Sequence, residues 1–472
     1  MDSLPVDGEN VAVIGAIGSG KSVLMNRFAT SVFEHGPTRV LVYDAKSELI
    51  PYLAGTAGFD KLKIFNPWDA RGVGWNLGED ITNVLASWQF TNLLIPQREG
   101  GTDRFWDDAA RDVIQAVLRS FLETIPNEGS FTFSDVMRSL TFPNYLRFWL
   151  EQKACRNGAP FLAGKRVLAS YLDNADEKVA KNIWSTISSA IGIWEPVAAA
   201  WQDATEGYSL KRWIEGKDVI VLGGTEGSRA VTDVINRMIF DRSAQLILDK
   251  EERAQHAEGY DDDLTFYLLD ELPSLGKTLL NSLLLKGRSK GVITAFAVQT
   301  KASVESVYGK EAAIEILGQA GCLAVLKLND SDTATWAAQQ FGSFIVDIPS
   351  AGTTTGQGNV SFSNTRSESE RTLFQTSHFL YLPKASAQNG IWGLFRNPYR
   401  SIDEPIMDHL RWNEDIEPYL GIPSDNPDHA AFIPRPASDF VLKPFTNQDW
   451  ARLGFEGSPP PPFDEGTGGW VD

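Results

Sequence analysis

Residues 11–29 read VAVIGAIGSGKSVLMNRFA: an apolar run, a glycine-rich loop closing on lysine and serine, then a helical pattern. Gly15, Gly20, Lys21 and Ser22 fit G-x-x-x-x-G-K-[ST], with Gly18 as an extra glycine inside the loop. The flanks agree. Residues 10–14 are apolar and β-branched like a buried parallel strand, and 22–30 read as a helix. Glycines let the backbone pass close around a phosphate chain while amide N–H groups converge at a helix N-terminus. The expected nucleotide-binding residues are therefore Gly15, Gly18, Ser19, Gly20, Lys21, Ser22 and Val23, with Lys21 on the β- and γ-phosphates and the Ser22 hydroxyl on Mg2+. A plain glycine turn before a helix is the bland alternative, and spacing, strand and helix together argue against it.

A phosphate loop of this kind needs an acidic partner on another strand. Residues 264–271, LTFYLLDE, are an apolar run ending in Asp270 and Glu271. Asp270 is expected to orient Mg2+ through water, and Glu271 to polarise the attacking water as general base. The paired carboxylate points to ATP hydrolysis, and the absence of an N-K-x-D guanine-reading motif favours ATP. Further on, GRSKGVITAFAVQT (287–300) holds another apolar strand, 292–298, ending in Gln299. Gln299 is placed either to sense the γ-phosphate or to cap a backbone group. Arg288, in the turn before that strand, is either a solvated loop arginine or, if subunits form a ring, an arginine finger worth about 10³ or more in rate.

Composition sets limits on the partners. The net charge is −18, from 43 basic and 61 acidic residues, whereas a protein that simply coats DNA is expected to be basic, so the balance counts modestly against a nucleic-acid partner. Contact with nucleic acid would have to come from a locally positive strip, such as a channel lining. No apolar run reaches the roughly 20 residues of a membrane helix, and no signal peptide precedes Val11. Cys155 and Cys322 lie far apart without metal-ligand spacing and are expected to be small buried side chains in a reducing compartment. The five histidines form no metal pattern.

Further strands are expected at 39–44, 218–224, 321–328 and, in HFLYLP, at 378–383. Helical patterns separate most of them, which implies an α/β fold with a mostly parallel central sheet whose carboxyl edge gathers Gly15, Asp270 and Gln299. Residues 1–104 read as the first part of a nucleotide-binding domain, 105–210 as an inserted all-α domain beginning after the IPQREGGTD loop (95–103), and 211–400 as the rest of the nucleotide-binding domain. Residues 401–472 form a C-terminal extension with a Pro/Gly-rich acidic tail, 457–472. Trp184, Trp194 and Trp201 are expected in the core and not as base-stacking platforms. The segment 249–263 reads as an acidic solvated loop, and 352–370, GTTTGQGNVSFSNTRSESE, as low-complexity and mobile.

Taken in order, these pieces resemble the type IV secretion coupling proteins of bacterial conjugation, the TraD/TraG group, over roughly residues 10–400. The resemblance rests on GAIGSGKS, VYDAKSEL, FNPWDARGVGWNLGEDI (65–81), RFWDDAARDVI (104–114), LLDELPSL, GRSKG, AVQT and the run from 308 to 342. It implies a RecA-like P-loop ATPase working as a ring, a homo-hexamer, with ATP and Mg2+ between subunits and DNA gripped without sequence preference in a central channel. On that resemblance Lys21, Ser22, Asp270, Glu271, Gln299 and Arg288 take the roles of phosphate lysine, magnesium hydroxyl, acidic pair, sensor and trans arginine. The all-α domain would face the cytosol and the relaxosome, and the acidic tail would dock a basic partner. Two departures stand out. Family members usually begin with membrane helices, whereas here the loop strand begins about ten residues in; and Ser47 stands where the family usually has glycine. The expected location is the cytoplasmic side of the bacterial inner membrane, for a soluble chain anchored through a missing segment or another subunit.

The function expected is an ATP-driven DNA translocase that couples the relaxosome, or its substrate proteins, to the type IV secretion channel. Related ring ATPases are alternatives: a HerA-like or FtsK-like DNA pump, or a VirB4-like secretion motor. A nucleotide-gated docking receptor for protein substrates is a third possibility, favoured by the acidic charge. Intact Lys21, Asp270 and Glu271 argue against a degenerate scaffold.

Overall fold

The computed structural model describes residues 9–34, 38–95, 104–173, 177–204, 206–251, 263–356, 359–398 and 406–463. The chain divides into two compact units: 1–36, 266–273 and 284–421 form the first, and 37–265, 274–283 and 422–472 the second.

In the first unit the apolar runs become a sheet. Its strands lie in the order Met407–Leu410, Ile391–Arg396, Cys322–Val325, Val11–Ile14, Val292–Val298 and Thr265–Asp270. Val11–Ile14 is parallel to both neighbours, with Ile14 level with Val298 on one side and Val325 on the other. Every residue of Val292–Val298 is buried, which is why the run is apolar throughout and not alternating. Ile391–Arg396 and Met407–Leu410 extend the sheet antiparallel. The helix Lys21–Glu34 follows the first strand after the glycine loop.

The second unit has its own parallel strands, Arg39–Asp44, Val219–Gly223 and Leu62–Ile64. Helices dominate between 104 and 202, from Arg104–Thr124 to Glu195–Gln202, and Gly207–Tyr208 then pairs with Gly74–Trp75. Trp194 and Trp201 are buried against Phe133, as core residues should be, while Trp184 is partly exposed. The C-terminal helix Asn447–Leu453 is tied to this helical region by Arg452, which donates to both oxygens of the fully buried Asp135 at 2.8 and 3.0 Å.

Several sequence expectations need correction. HFLYLP is no strand: Thr376–Tyr381 is a helix, because Gln375 and His378 close a capping box at its start and only Phe379 is buried. Residues 352–356 and 359–370 belong to a ribbon in which Ser343–Gly356 pairs antiparallel with Asn359–Thr372. Low complexity concealed threonine, valine and phenylalanine, residues that favour a pleated strand: Val360 and Phe362 stand in register with Thr355 and Thr353. Cys155 and Cys322 are free and half-buried, not core. Much of 249–263, most of 95–103 and residues 464–472 of the acidic tail lie outside the described residues.

Candidate active site

The glycine loop is built by contacts its own sequence requires. Gly15 N donates to Val298 O at 3.1 Å and Ala16 N to Lys327 O at 2.8 Å, so the loop leaves the sheet pinned to both neighbouring strands' ends. Gly18 and Gly20 have φ of +74° and +100°, conformations that cost a side chain strain. A Cβ on Gly15 would come within 2.3 Å of Ser19 Oγ and 3.0 Å of Leu326 Cβ, so a larger residue there would displace the Ser19 hydroxyl. The Lys21 ammonium is buried and donates to Gly15 O at 2.7 Å and Ala16 O at 3.2 Å, folded back over the loop's own carbonyls.

The acidic strand meets the helix start. Ser22 Oγ lies 3.4 Å from each oxygen of Asp270, which is itself buried. Next along the chain, Glu271 holds φ of +67°, a left-handed backbone that a glutamate rarely adopts. Gln299 Nε2 donates to Glu271 Oε2 at 3.0 Å. Because Ile14 and Val298 share a row of the sheet, Gly15 and Gln299 emerge side by side. The structure thus brings Gly15, Gly18, Ser19, Gly20, Lys21, Ser22, Asp270, Glu271 and Gln299 to one carboxyl edge, with Val23 in the first turn of the helix.

Arg288 is not among them. It lies in the turn Arg288–Lys290 before the strand Val292–Val298, at the amino edge, where its exposed guanidinium is 3.3 Å from Glu9. A seven-residue strand rising about 3.3 Å per residue separates it from Gln299 by roughly 20 Å, so it cannot serve the site of its own subunit. Residues 379–391 lie against the phosphate loop, and the sequence assigned them no part in the site: Ala385 N donates to Gly18 O at 3.1 Å, and Ile391 packs where a Cβ on Gly20 would meet it at 2.7 Å. The only local signal there is the turn chemistry of Asn389-Gly390, which marks a bend and not a role.

The residues fit a triphosphate with its magnesium ion. Ser19 Oγ is buried with no hydrogen-bond partner among the described residues, a state that costs about 1–3 kcal/mol and that a phosphate oxygen in the loop would relieve. Lys21 supplies a cation, Ser22 and Asp270 supply oxygens of the kind magnesium takes, and Glu271 supplies a carboxylate held by a second side chain. Among the described residues no cluster of histidine, cysteine or acidic side chains could hold a metal by itself, and no helix is long and apolar enough to cross a membrane.

A profile of the family described as "Type IV secretion-system coupling protein DNA-binding domain" matches residues 4–391. The coupling protein TraD of Escherichia coli (strain K12) is 23% identical over 344 residues, covering 71% of this chain and 44% of TraD, so the chain spans less than half the length of that relative. Among solved structures, the plasmid coupling protein TrwB in complex with ADP and Mg2+ superposes with a TM-score of 0.62 at 17% identity, covering 91% of this chain and 89% of TrwB. TrwB in complex with the ATP analogue ADPNP gives 0.62 at 18% identity, covering 92% and 90%. These likenesses give the fold: a RecA-like α/β domain with a mostly parallel sheet and an all-α part.

Proposed function

The chain belongs to the family of type IV secretion-system coupling-protein DNA-binding domains, and from that membership we propose that it works as an ATP-driven DNA translocase. The observation that carries this reading is the convergence of Lys21, Ser22–Asp270 and the Glu271–Gln299 pair on one sheet edge. Magnesium bound with ATP supplies charge neutralisation at the β- and γ-phosphates. Lys21 would leave the Gly15 and Ala16 carbonyls to bind phosphate, Ser22 and Asp270 would hold the ion, and Glu271 would take the proton of the attacking water. Gln299, bonded to Glu271, keeps that carboxylate aimed and can report on the γ-phosphate.

In this reading subunits assemble as a ring, most simply a homo-hexamer, and Arg288 of one subunit completes the site of the next. DNA passes through a channel lined by local positive charge, and the motor joins the relaxosome or its substrate proteins to the secretion channel on the cytoplasmic side of the inner membrane. Nucleotide-binding segments 1–104 and 211–400 would form the motor, with 105–210 and 401–472 serving partners. The net charge of −18 keeps a second reading in play, a nucleotide-gated receptor for basic protein substrates. Steady-state ATP hydrolysis measured across protein concentration, with and without single- and double-stranded DNA at low salt, separates the two. A rate per subunit that rises with concentration and with DNA is expected; a rate indifferent to both would replace the motor with the receptor.

A further inference from the structure

The chain from 379 to 391 is strapped over the outside of the phosphate loop at three points. Lys327 O accepts from Ala16 N at 2.8 Å while Lys327 Nζ donates to Leu380 O at 2.9 Å, which ties the start of the strap to the start of the loop. Ala385 N bonds Gly18 O at the middle, and Ile391 packs on Gly20 at the end. Phe379 and Leu382 are buried, so the backbone on both sides of Tyr381 is anchored. Tyr381 itself is 86% exposed, and Ile17 at the tip of the loop is 75% exposed. Four positions apart in sequence, Tyr381 lies within about 14 Å of Ala385. Two large apolar side chains thus stand uncovered beside a loop built for phosphates, and a nucleotide brings to such a loop a flat aromatic ring as well as its phosphates.

We infer that Tyr381 is the base-stacking residue of the site: its ring takes one face of the nucleobase, with Ile17 bordering it. The inference rests on the phosphate-site reading above. Stacking binds any base, so Tyr381 adds affinity for a nucleoside triphosphate without choosing strongly between adenine and guanine. The test compares binding of ATP and of inorganic tripolyphosphate, by calorimetry, to the unchanged chain and to Tyr381→Ala and Tyr381→Phe. Expected is a rise in the Kd for ATP of about 5-fold to 100-fold in Tyr381→Ala, restoration in Tyr381→Phe, and tripolyphosphate binding the same in all three. Unchanged ATP affinity in Tyr381→Ala would overturn the assignment, as would an equal loss for both ligands, which would mean that Tyr381 acts through the shape of the loop. Binding of neither ligand by the unchanged chain would remove the phosphate site itself, and the base site with it.

Discussion

Glu271 occupies a left-handed backbone conformation directly after a buried strand, with its carboxylate bonded by Gln299. A strained residue held by a neighbour's side chain is a feature that folding alone does not require. Glu271→Gln is expected to bind ATP as tightly as the unchanged protein while hydrolysis falls by about 10²-fold to 10⁴-fold, read by nucleotide binding and phosphate release side by side. Retained hydrolysis would remove the general base. At this scale the sequence was most informative: Lys21, Ser22, Asp270 and Glu271 sit in patterns whose spacing alone implies phosphate chemistry. The Gln299–Glu271 bond and the φ of Glu271 were not legible, because both depend on how two strands end side by side and not on either strand's own residues.

Elements were legible where periodicity was strong and long. Val292–Val298 and Thr265–Asp270 appear where the apolar runs placed them, whereas Thr376–Tyr381 reads as a strand in the sequence because the short run FLYL (379–382) suits a strand as well as a helix. The helix Arg229–Leu248 carries a buried charge that no periodicity reveals. Asp241 accepts from Leu279 N at 2.7 Å, and burial pushes its carboxyl from 3.8 up to about 7. Asp80, buried between Trp75 Nε1 and the amides of Leu210 and Lys211, is likewise pushed up to about 6. Since each folded carboxyl holds its proton more tightly than the unfolded one, the folded state binds more protons between about pH 4 and pH 7, and stability falls as pH rises through that window. Asp241→Asn keeps an oxygen for Leu279 and removes the charge. It is expected to leave stability near pH 4 unchanged and to raise it at pH 8 by up to about 4 kcal/mol, checked by denaturant unfolding at both values.

On the scale of the whole molecule, the first unit presents its phosphate loop at one sheet edge and Arg288 at the other. A contact that joins those two ends is head-to-tail, so it has no two-fold version and must close into a ring or run on as a filament. If Arg288 serves the neighbour, Arg288→Ala and Lys21→Ala are each inactive alone, yet an equimolar mixture regains part of the ATPase rate. In the mixture some interfaces pair an intact Lys21 with an intact Arg288. No recovery, or full activity of Arg288→Ala by itself, would remove the finger. Assembly is the level at which the sequence said least, since Arg288 stands in a turn whose spacing suits a solvated loop arginine equally well. The ribbon Ser343–Thr372 has a mechanical consequence. Fourteen paired rows at about 3.4 Å each make an arm of roughly 45 Å, rooted where Phe341 packs on Phe379, whose carbonyl accepts from Leu328 N beside Lys327. A tilt of about ten degrees at that root would sweep the tip through roughly 8 Å, because the displacement grows with the length of the arm.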